Sequence, residues 1–243
     1  MSNGSLPPRL TQLHVGEESL REKATALLAE QPALCAHLQV IECAMDLLDV
    51  LRRLGSEDED EKVIQFLGMR IFNDLASSVK LALSGYNQSA AMILRDVLET
   101  VFLIDRFQSD WPAVREWRAA NSKTRWEGFR PKKVRAFLDK RDGFAGKKRD
   151  AAYNLLSTLA GHPSMEGVAM LRPAGADAHM GPFVELPTLE AVLAETAKLA
   201  VQAGELIAEF LPTEHVEANR SRRDFSVSKG RWFDEIGVEW KKA

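Results

Sequence analysis

The chain has 243 residues, 45% of them hydrophobic, which suits one large domain with a sizeable core. The net charge of −3 argues against a protein that coats nucleic acid along its whole surface. No run of about 18 apolar residues occurs, and the opening MSNGSLPPRL lacks the apolar stretch of a secretory signal, so a cytoplasmic protein that does not enter the membrane is expected. Cys35 and Cys43 stand too far apart on one helix to pair, and free thiols fit a reducing compartment.

In chain order, residues 1–16 read as a loose leader containing Gly4, Pro7 and Pro8. From Ala33 to Leu54, Leu34, Leu38, Ile41, Met45 and Leu48 alternate steps of four and three, the seam of a bundle helix. Asp49 and Arg53 fall on its outer face at ion-pair spacing. Gly55-Ser56 ends that helix, and the acidic run Glu57–Glu61 complements the dipole of the next. The next helix, about Lys62–Ser84, aligns Ile64, Leu67, Ile71, Leu75, Val79 and Ala82. After the short break at Ser84-Gly85, a helix over Asn87–Phe107 presents Leu94, Leu98, Val101 and Ile104. So short a connection predicts an antiparallel pair.

Residues 115–149 differ in character, with 13 basic and 4 acidic side chains interleaved with Trp117, Trp126, Phe129, Phe137 and Phe144. Short helices are expected at Ala113–Ala120 and Lys132–Lys140. Helical pattern returns over Lys148–Ala160 and stops near His162, because Pro163 disfavours helical geometry in the residue before it. Val168–Leu171 and Pro182–Leu186 flank a Pro/Gly-rich loop, which predicts a small β-hairpin at about 168–186. Thr188–Phe210 is the last clear amphipathic helix, and Pro212 ends it. Residues 213–243 read as a polar tail with Arg220, Arg222, Arg223, Trp232, Phe233 and Trp240. The expected fold is all-α: a bundle of four long helices plus short helices over residues 17–212, with that hairpin inserted.

Several chemistries lack their signatures. Neither G-x-x-x-x-G-K nor G-x-G-x-x-G occurs, no Cys-x-x-Cys occurs, and no Glu has a His three residues later. No cofactor or metal is therefore expected. Three features remain as a candidate site. Arg95 and Glu99 stand one helical turn apart beside the apolar stripe; they read either as a structural ion pair or as an anion-binding Arg oriented by a Glu. His162 ends the helix that carries Tyr153 and Asn154, and Leu155, Leu159 and His162 share a face in α-helical register. It reads either as a helix-end residue or as an acid–base group. In the basic segment Arg125, Arg130, Lys132, Lys133 and Arg149 would meet phosphates while the rings stack on bases, unless the rings pack inward and leave a solvated basic face.

The stretches SAAMILRDVLETVFLIDRF and YNLLSTLAGHPS resemble a family of uncharacterised bacterial and phage helical proteins. Its marks are Arg-x-x-x-Glu (Arg95, Glu99) and Leu-Ser followed by His-Pro (Leu156, Ser157, His162, Pro163). More distantly the layout resembles the HEPN superfamily of helical, often dimeric, nucleotide-binding proteins. That resemblance implies binding of RNA or a nucleotide, a homodimer, and a metal-independent ribonuclease of phage defence or stress response. His162 would be its acid–base residue, Arg95 would contact the phosphate with Glu99 orienting it, and Tyr153 and Asn154 would line the site. The departure is local: no Arg stands before His162 with four to six residues between them. Arg9–His14 and Arg172–His179 match that spacing, as composition alone would produce. The competing expectation is a non-catalytic protein-interaction module, a homodimeric scaffold whose Arg/Glu/His cluster is structural.

Overall fold

A computed structural model describes residues 7–144, 148–178 and 180–236. The start of the leader, Lys147, His179 and Trp240 lie outside these described residues. The described residues form ten α-helices: α1 (Pro8–Glu30), α2 (Pro32–Leu54), α3 (Glu59–Leu83), α4 (Asn87–Ser109), α5 (Pro112–Ala119), α6 (Ser122–Phe129), α7 (Pro131–Arg141), α8 (Lys148–Leu156), α9 (Leu186–Phe210) and α10 (Val216–Ile236). Pro at the first helical position starts α1, α2, α5 and α7, where a missing N–H costs nothing. None of these helices is long and apolar enough to cross a membrane.

The bundle centre is α2, α3, α4 and α9, the four helices whose apolar stripes are legible in the sequence. The α3–α4 pair is antiparallel: Arg70 bonds Asp96, and further along Ser78 Oγ donates to the Ala90 carbonyl. The turn between them depends on Gly85, whose φ is +84°. A Cβ there would lie 2.7 Å from the Phe183 carbonyl oxygen, so only glycine fits.

Besides Pro8–Gly16, read in the sequence as loose leader but helical as the start of α1, two segments differ from the sequence expectation. No strand occurs among the described residues, and the expected β-hairpin is absent. Glu166–Leu171 instead forms a 3-10 turn. The Phe183 N–H, which a hairpin would spend on the opposite strand, donates to the Gly85 carbonyl, while the Asn87 side-chain amide donates to the Phe183 carbonyl. The α3–α4 turn has captured the backbone of the would-be strand, and Pro173, Pro182 and Pro187 have no N–H to offer a ladder.

The second difference is at the C-terminal end of the bundle. Residues expected as tail form α10, which lies along α2. Ala218, Phe225 and Trp232, spaced by seven, are its buried residues. Phe225 seats on Gly204 of α9, and the buried Trp232 N–H donates to His37 Nδ1 at 2.7 Å. Covered by α9 on one side and α10 on another, α2 buries His37, Val40, Ala44 and Leu47 together with Leu34, Ile41 and Leu48 of its predicted seam, while Leu38 and Met45 are half-buried.

Candidate functional site

The Arg95–Glu99 pair projects from α4 toward α7 and α8. Its closest contact, Arg95 Nε to Glu99 Oε1, is 3.7 Å, too long for a hydrogen bond. Each side chain keeps about a quarter to a third of its surface exposed, at 30% and 26%. Packing, more than pairing, fixes Arg95. Its guanidinium carbon lies 5.9 Å from the Tyr153 ring centroid, and its Nη1 presses on Gly161, where a Cβ would come within 2.5 Å.

A second guanidinium completes the cluster. Arg135 of α7 is buried, lies over the same Tyr153 ring at 3.9 Å, and donates from Nε to Asp150 at 2.6 Å. Burial raises the Glu99 carboxyl above its ordinary range, against the pull of Arg95, Arg135 and the Tyr153 hydroxyl. Two cations and two carboxylates thus enclose one tyrosine.

His162 stands apart from this arrangement. Residues Ser157–Gly161 form a π-helical turn in place of the expected α-helical end, with the His162 N–H donating to the Ser157 carbonyl at 2.9 Å. The extra residue shifts the register, so Leu155 is 50% exposed while Leu156 and Ser157 turn inward. His162 itself is exposed, as is Asn154. Arg95 packs on Gly161, the residue before His162. Ser157 Oγ and Arg135 Nη1 are buried without a partner among the described residues.

The basic segment is largely consumed by the bundle. Arg115 and Arg118 both reach the buried Asp60, at 3.2 and 2.9 Å. Asp60 therefore binds these two arginines as well as standing in the first turn of α3. Arg125 donates to the Trp117 and Ala120 carbonyls and lies over the Trp117 ring, so it closes the end of α5. Arg141 binds Asp105 and Asp142, and Arg149 binds Asp139 and Asp142. Phe129 and Trp117 turn inward onto Phe107. What remains outward is a corner where α6 meets α7. Lys123, Arg130, Lys132 and Lys133 are exposed there with no ion-pair partner among the described residues, around a Trp126 that is 63% exposed.

One polar cluster was not anticipated from the sequence. On the α3–α4 face, Arg70 forks onto Asp96 with two bonds of 2.7 Å, and Asp74 hydrogen-bonds the same carboxylate. Burial and that bond push Asp74 up to about 7. Asp96 is only half-buried; its partial burial pulls upward, yet the bonds from Arg70 and Asp74 hold it below its ordinary value. The signal was the Arg70-x-x-x-Asp74 spacing on one helix face, a pattern as common in solvated ion pairs. Among the described residues no group of three or more His, Cys, Asp or Glu is placed to hold a metal ion. Comparison with family models, curated proteins and solved structures finds no match to this chain.

Proposed function

We propose that this bundle binds single-stranded RNA across the α6–α7 corner, and that it binds without cutting. The observation that carries the reading is the sorting of the basic segment. Its inward cations are matched by carboxylates and carbonyls, whereas Lys123, Arg130, Lys132 and Lys133 are left unmatched, among the described residues, beside an exposed indole. Unmatched cations attract phosphates, and an exposed indole offers a face on which any base stacks. Glu127 is the one acidic residue within α6 and tempers the attraction without cancelling four cations. The nucleotide-binding character implied by the HEPN-like motifs agrees with this. Cleavage is left out of the reading because His162 has no side-chain partner among the described residues to orient it, and Arg95 is committed to Tyr153 and Gly161.

Binding of a fluorescent oligouridylate, titrated at several salt concentrations, tests the proposal. Four phosphate contacts to a single strand give a log–log salt slope of about −3. Trp126→Ala is expected to weaken binding by about 1–3 kcal/mol at every salt concentration. A paired Lys132→Ala, Lys133→Ala variant should bring the slope to about −1.5. A polyglutamate that competes as well as RNA, together with indifference to Trp126→Ala, would replace RNA with an acidic protein partner and overturn the reading.

A further inference from the structure

A pocket of about 350 Å³ opens where the ends of α2 and α9 meet the starts of α3 and α5. Its floor is Leu51 and Ile64, both buried. Its walls are Trp111 and Phe210, whose ring centroids lie 6.2 Å apart with planes tilted by 39°. Two polar side chains line it, Gln65 and Glu61. The Gln65 amide N–H is spent on the Leu51 carbonyl, and Glu61 accepts the Ser56 hydroxyl on one carboxylate oxygen at 2.6 Å. The second oxygen of Glu61 remains available.

We propose that this pocket binds a small organic ammonium ion, with its apolar body against Trp111 and Phe210 and its charge facing Glu61. The volume lies at the lower end of the range for small-molecule sites, about 300–1,000 Å³. The lining holds one charge, and it is negative. Aromatic faces carry negative quadrupole and hold a cation within about 6 Å of the ring centre. Glu57, Asp58, Glu59 and Asp60 precede Glu61 in sequence, and the cations beside this run are spent within it, Lys62 on Glu59 and Arg115 and Arg118 on Asp60. An anion would face the like charge of Glu61, and a neutral ligand would gain nothing from it.

A second pocket, on the bundle flank, shows what sets this one apart. It has about 380 Å³ and mixes Asp105 and Glu205 with Lys148 and Arg149, so its lining favours neither sign. The Trp111 pocket also shares no residue with the α6–α7 corner, so its ligand stands or falls independently of RNA binding.

Calorimetric titration of the whole protein with choline tests the assignment, with 3,3-dimethylbutan-1-ol as the uncharged isostere. Choline is expected to bind saturably, about tenfold more tightly than the alcohol. Glu61→Gln keeps the acceptor for Ser56 and changes an exposed side chain, so folding is preserved. It should bring choline to within about twofold of the alcohol. Trp111→Leu should weaken both ligands. A lysine-containing tripeptide in place of choline then separates a free ammonium from one carried on a polypeptide. Equal binding of choline and the alcohol, or choline binding unchanged in Glu61→Gln, overturns the proposal. So does an absence of saturable choline binding at concentrations up to about 50 mM, which correspond to under 2 kcal/mol of affinity.

Discussion

Asp74 is a carboxyl group that the fold pushes up to about 7, and its replacement by asparagine is expected to stabilise the protein above that pH. The group titrates at about 7 in the folded chain against an ordinary value of 3.8. A raised folded value means the stabilising, protonated form is fully present below about pH 4 and is lost as pH rises through 7. The full shift sets a ceiling of about 4 kcal/mol. Solvent reaches the cluster, since the Asp96 side chain is 36% exposed and Arg70 57%, so screening reduces this to about 1–2 kcal/mol. In the Asp74→Asn variant the side-chain amide would keep a donor toward Asp96 at every pH and would carry no proton to lose. Urea unfolding at pH 4.5 and pH 8 should show a small gain at the lower pH and the full gain at the higher. At pH 8 the melting temperature should rise by about 2–8 °C. A variant less stable than the parent at pH 8, or a gain that is equal at both pH values, would refute the shared-proton arrangement.

Three further outcomes follow from other contacts. Gly204→Ala places a Cβ 2.6 Å from the Phe225 ring, and the crowding should outweigh the helical gain by about 1–2 kcal/mol in thermal melts. Gly16→Ala, with nothing within 4 Å of the new Cβ, should instead stabilise α1 by about 0.5–1 kcal/mol. Burial pushes the His37 imidazole below its ordinary value, so the unfolded chain protonates first as pH falls below about 6.5 and stability drops. His37→Gln keeps an acceptor for the Trp232 N–H, and its melting temperature should fall less steeply between pH 7 and pH 5 than that of the parent.

The seams of α2, α3, α4 and α9 are legible because each has a one-sided stripe at a period near 3.6. The helix α10 is harder to see. Its apolar contribution is Ala218, Phe225 and Trp232 at steps of seven within an Arg-, Lys- and Asp-rich stretch, too sparse to stand out from a polar tail. The predicted hairpin fails for a different reason. Val168–Leu171 and Pro182–Leu186 are apolar enough for strands, but whether strands form depends on which partner takes their N–H groups, and Gly85, which takes that of Phe183, is nearly a hundred residues away in sequence. At the candidate site the residue types were readable and the register was not. Leu155 and His162 share a face only in an unbroken α-helix, and the π turn at Ser157–Gly161 removes that condition. Arg125 and Arg149 carry the expected charge, yet the carbonyls and carboxylates that occupy them belong to segments that no local pattern connects.

The bond between His37 and Trp232 joins residues 195 positions apart. Bringing such distant points together costs about 4–5 kcal/mol of loop-closure entropy, which the packing of α10 on α2 must offset at a single step late in folding. A chain emerging from the ribosome makes α2 early and the helix that seals it nearly two hundred residues later. At roughly 5–20 residues per second, the flank of α2 that carries His37 waits about 10–40 seconds for Trp232. In a cell that interval is a window for chaperone engagement, created by chain order rather than by any weakness of the finished core.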